Sequence, residues 1–125
     1  MDIEKQIAYW REGSVSNLES AELLISKGKV LEGLFFCHLA LEKILKAHVV
    51  KTTRAIPPRI HNLAGLRQAA KLEIEDPQRL FLGEINDFAL EARYPFPYKD
   101  LPSQPRGEKL LQKTKEIHQW LMNRL

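Results

Sequence analysis

The chain has 125 residues, 44% hydrophobic and 28% charged, which suits one globular domain spanning 1–125 that buries about two-thirds of the surface its unfolded form exposes. A net charge of +3 permits an anionic partner without demanding one, and a single cysteine excludes an intrachain disulfide. The charged start MDIEKQIAYW does not fit a signal peptide, and Glu32, Glu42, Lys43 and Lys46 interrupt the most apolar stretch, so a cytoplasmic protein with no membrane span is expected.

The periodicity predicts a first helix from Ile3 to about Lys27. Ile3, Ile7, Trp10, Leu18, Ala21 and Ile25 recur at three-, four- and seven-residue steps and form its inner face. Gly13 and Ser14 weaken its middle and mark a place for a bend. Gly28 suits the left-handed residue just past a helix end, and the short Gly28-Lys29 turn returns the second helix antiparallel to the first.

That second helix, Val30 to Lys51, is the centre of the pattern. Twelve of the seventeen residues from Leu34 to Val50 are apolar, and they fall on every side of a helical wheel. A helix of this kind belongs inside a bundle. Its polar residues are therefore informative. His38, Glu42 and Lys46 recur every four residues as one ridge that drifts about 40° per step, and such a ridge either faces water or lines a cleft. Cys37 reads as a small core residue.

Thr52-Thr53 and Pro57-Pro58 end this helix and extend the chain. A third, shorter helix is predicted from Asn62 to Leu72 with Leu63, Leu66 and Ala70 inward, capped by His61 or Asn62. Asp76-Pro77 signals the start of a fourth. Leu80, Phe81, Ile85, Phe88, Ala89 and Ala92 form its apolar stripe, and Pro95 stops it. Arg93 to Pro105 holds four prolines and reads as a rigid, extended connection. The last helix runs from about Arg106 to Arg124, with Leu110, Leu111, Thr114, Ile117, Leu121 and Leu125 inward. No strand is expected. The fold class is all-α, an antiparallel up-and-down helical bundle of four to five helices.

No Gly-rich phosphate loop, Cys/His metal pattern or His-Glu-x-x-His helix is present, so neither a metal nor a cofactor is expected. His38 and Glu42 have the spacing of a metal-binding pair. With no third ligand beside them, hydrogen bonding across a bundle interface is the favoured reading. Two polar sets remain: Arg54, Arg59 and His61 after the second helix, and Arg93-Tyr94 with Tyr98 and Lys99 after the fourth. Cations near tyrosines suit phosphates and stacked bases. The competing reading has the arginines on helix-end carbonyls and the tyrosines packed on the proline segment, and residue chemistry alone leans that way.

The order of four motifs resembles the HEPN family of small prokaryotic helical domains. These are YWREGSVSNLESAELLISKGK in the first helix, HLALEKILKA in the second, IHNL before the third and ARYP closing the fourth. The resemblance covers essentially the whole chain. It implies a four- or five-helix bundle, usually a homodimer, often acting with a minimal nucleotidyltransferase as a toxin–antitoxin pair or nucleotide-responsive module. Catalytic members are metal-independent ribonucleases with an Arg-x4-6-His pair, and the matching region here begins at Arg93. Tyr98, Lys99 and Asp100 stand where that His would fall. Arg54 and His61 have the formal spacing, but between the second and third helices, where the family does not place the pair. His61 matches the family's His-Asp-Leu position, with Asn62 in place of Asp.

The resemblance thus implies a non-catalytic module that binds a nucleotide, an RNA or a protein partner. The alternatives are a HEPN-type ribonuclease with an unrecognised site and a purely structural helical dimer. The expected ligand-binding residues are His38, Glu42, Lys46, His61, Arg93 and Tyr94, with none catalytic.

Overall fold

A computed structural model describes the backbone of residues 1–93 and 101–125, and the side chains of all of these except residues 91–93. The helices are α1 (Ile3–Ser26), α2 (Val30–Thr53), α3 (Leu63–Ala69), α4 (Asp76–Arg93) and α5 (Gln104–Asn123). No strand occurs among the described residues. The all-α bundle expected from the periodicity is the fold. No described helix is long and apolar enough to cross a membrane.

Local signals set the helix ends. Asp2 caps α1 by accepting the Lys5 N–H at 3.1 Å. At the other end Lys29 N–H donates to Leu24 O and Gly28 N–H to Ile25 O, a Schellman closure that needs the φ of +80° at Gly28. Asn62, one of the two expected caps, accepts the Gly65 N–H and starts α3. Ser103 caps α5 by accepting the Arg106 N–H, with Pro105 in the first turn. This helix therefore begins about one half-turn before the predicted Arg106.

Among the described residues α2 alone packs against each of the other four helices. Leu34, Cys37, Leu41, Ile44, Leu45 and Val49 fill the main core from its successive faces. Close approach of α1 relies on Gly33, where a Cβ would come within 2.4 Å of Ile25. Burial pushes the Cys37 thiol up to about 12, beyond the reach of thiolate chemistry near neutral pH.

Two expectations change, and one left open is decided. Gly13 and Ser14 do not interrupt α1, which is one unbroken helix. Ser14 is fully buried and hydrogen-bonded to His118 Nε2, and the missing side chain at Gly13 leaves room for the Lys43 stem. Leu80 is 75% exposed instead of inward, and Leu82 takes its place in the core, because the apolar arc of α4 centres on Ile85. Of the two readings of the His38–Glu42–Lys46 ridge, the one in which it faces water does not hold. All three residues are buried.

Polar contacts also pin α5. His48 donates its Nε2–H to Leu121 O at 2.8 Å, while Ser14 and His118 link α1 to α5. Burial lowers the pKa of both rings from 6.5; for His48 the Leu121 hydrogen bond opposes this, and Lys51 and Arg124 add to it. Below that value the unfolded chain binds protons that the folded chain resists, so stability holds above pH 6.5 and declines as pH falls through it. Denaturant unfolding at several pH values should show that decline, and the His48→Gln/His118→Gln variant should flatten it. In the core, Leu41→Ala should cost about 2–5 kcal/mol by leaving a cavity. Glu19→Ala, on the exposed side of α1, should stay within about 0.5 kcal/mol. Equal shifts in the two denaturation midpoints would show the helix faces to be misassigned.

Candidate functional site

Glu42 is the hub of the polar groups on α2. Its carboxylate accepts Lys46 Nζ–H at 3.0 Å, one turn along the same helix. His61, on the loop before α3, donates its Nδ1–H to both carboxylate oxygens at 3.2 Å. His38 Nδ1 lies 3.7 Å from Glu42 Oε1. Four of the six residues expected at the site are thus brought together around one buried carboxylate.

Their surroundings differ. Lys46 is 6% exposed, and its ammonium lies 5.1 Å from the centre of the Trp10 ring, so carboxylate and indole together replace its water shell. His61 sits at the surface, its side chain 60% exposed. Holding Nδ1–H on Glu42 leaves Nε2 as the acceptor of the neutral ring. His38 donates its Nε2–H to Asn86 Oδ1 at 3.1 Å, and the same oxygen accepts the Leu63 N–H at 3.3 Å. One amide of α4 thereby ties α2 to the start of α3.

A cleft of about 320 Å³ opens beside these contacts, lined by His38, His61, Asn62, Asn86, Asp87 and Leu90 together with Ala89. Glu42 and Lys46 stand behind it and orient its wall. Asn86 and Asp87 were not singled out from the sequence. The available signal was their position in α4 next to Ile85, at the edge of the apolar stripe. The expected residues Arg93 and Tyr94 lie outside the described residues, except that the backbone of Arg93 closes α4.

The arrangement presents the exposed His61 imidazole, amides, a carboxylate and an apolar wall to whatever enters, and the buried His38 also lines it. Among the described residues no three His, Cys, Asp or Glu side chains converge as a metal site. The carboxylate behind the cleft is already neutralised by Lys46. Chemically this is a surface for hydrogen bonding and stacking.

The sequence model described as HEPN domain matches residues 7–125. Searches of curated proteins and of solved structures find no match.

The hub carries a stability consequence. Glu42→Ala would leave the buried Lys46 ammonium without its carboxylate and release His61, and should lower stability by about 3–5 kcal/mol. Pairing that change with Lys46→Met should recover part of the loss. If denaturant unfolding shows Glu42→Ala to be as stable as the wild type, the carboxylate is not the hub.

Proposed function

The chain belongs to the HEPN domain family, and on that footing we propose that it is a homodimeric, non-catalytic binding module. It takes a nucleotide, free or within RNA, in the His38–His61 cleft and acts with a minimal nucleotidyltransferase in a toxin–antitoxin type system. The observation that carries this reading is the cleft wall itself. Two imidazoles, two side-chain amides and a leucine supply the mixture of flat faces and paired donors and acceptors that a nucleobase requires. Arg93 follows Asn86 by seven residues, close to the same side of α4 by helical register, and is the proposed phosphate ligand. Tyr94 is proposed to stack on the base. Tyr98, Lys99 and Asp100 at the family's catalytic His position favour binding over cleavage.

Calorimetric titration with ATP, GTP and a short single-stranded RNA tests the reading. His61→Ala and Arg93→Ala should each weaken binding by about tenfold or more, the second also flattening its salt dependence. Neither should shift the melting temperature as Glu42→Ala does. A wild type that binds none of the three ligands overturns the reading. RNA cleavage that survives chelation of metals would establish the ribonuclease alternative instead. The partner is expected to be encoded in an adjacent reading frame and to co-purify with this chain.

A further inference from the structure

The outer face of α4 has a pattern that packing among the described residues does not explain. Phe81, Leu82, Ile85 and Ala89 are buried, whereas Leu80 is 75% and Leu90 54% exposed. On the same outer face as those two leucines, Arg79, Gly83 and Asp87 form one row at four-residue spacing, with the glycine in the middle and an opposite charge one turn to either side.

Gly83 differs from the other helical glycines. A Cβ at Gly13, Gly33, Gly65 or Gly107 would come within 3.2 Å or less of a side chain, so each of those positions serves a close contact inside the molecule. Among the described residues, a Cβ at Gly83 would meet nothing within 4 Å. Glycine in a helix interior weakens the helix, and here no described neighbour requires it.

We propose that this row docks a second copy of the chain, with two α4 helices crossing antiparallel at Gly83 about a two-fold axis. The proposal rests on the homodimeric reading above and says where the copies meet. A two-fold through Gly83 sets each residue before it opposite the residue equally far after it. Arg79 then faces the partner's Asp87, and Asp87 faces the partner's Arg79. The row is self-complementary in charge. In the single chain Arg79 pairs with Asp76, and both are exposed, so its guanidinium is placed to exchange one carboxylate for another. The bare backbone at Gly83 lets the axes approach closer than the usual spacing of about 8–10 Å, and Leu80 and Leu90 flank the crossing.

This placement completes the cleft. Asp87 and Leu90 belong both to the outer face of α4 and to the lining of the His38–His61 cleft, whose described lining holds no arginine or lysine. The partner's Arg79, drawn to Asp87, would stand at the mouth of the cleft as a guanidinium for a phosphate.

Sedimentation velocity across the micromolar range, with circular dichroism as the check on folding, tests the inference. The wild type should be a dimer. Arg79→Asp should weaken dimerisation by about tenfold or more through like charges in both contacts. Arg79→Asp/Asp87→Arg should restore it. Gly83→Leu should stay folded, because no described residue fills the space beside it, and should dissociate. A monomeric wild type overturns both this inference and the homodimeric reading. A dimer that survives Arg79→Asp and Gly83→Leu leaves the homodimer standing and overturns this interface, and failure of the double exchange to rescue overturns the Arg79–Asp87 pairing. ATP titration of the wild type is read separately, so loss of the nucleotide reading leaves the dimer result intact.

Discussion

The burial of α2 over most of its surface governs the rest of the structure. Where the helix is covered by its neighbours there is no water for its polar side chains, so His38, Glu42, Lys46 and His48 must find partners inside the molecule. His48 finds the Leu121 carbonyl, Lys46 finds Glu42, and His38 finds Asn86. These contacts reach α5 and α4, so the same side chains that satisfy α2 also fix how its neighbours sit. Apolar packing draws the helices together, and the internal polar groups select one register among the packings that would bury similar area.

The site follows from the same constraint. Glu42 is 5% exposed, and Lys46 alone does not occupy both of its oxygens. His61 supplies the second partner from a segment that Pro57 and Pro58 keep out of helix. Drawing that segment onto α2 sets His61 and Asn62 across from Asn86 and Asp87, and the space left between loop and helix is the cleft. A buried salt bridge is not by itself a strong source of stability. Its role here is positional, because it holds an exposed imidazole in one orientation beside a polar hollow.

α4 serves both the core and the surface. Its inner arc packs on α2 and α3, while Asn86 and Asp87 turn toward the cleft and the Arg79–Gly83–Asp87 row turns outward. Only about 100° of rotation separates successive residues of a helix, so Ile85 lies in the core, Asn86 on the cleft and Asp87 at the edge shared by the cleft and the outer face. Self-association through the outer row would couple assembly to the cleft through Asp87 and Leu90.

The sequence by itself determined the helices, the central place of α2 and most of the buried residues. Apolar spacing, Gly28, Asn62 and Asp76-Pro77 act over a few residues and need no knowledge of the fold. It also showed that His38, Glu42 and Lys46 share one ridge, and its ordered motifs pointed to the family. Tertiary structure decided that this ridge is buried instead of solvated, since its burial depends on Trp10 and His61, 32 residues before and 19 after Glu42. It decided that Ser14 meets His118 across 104 residues, a pairing that no local pattern encodes. It also exchanged Leu80 for Leu82 in the core of α4. A periodic stripe fixes the direction of a helix face only to within about one residue's rotation, and the neighbours that α4 packs against set the remaining angle.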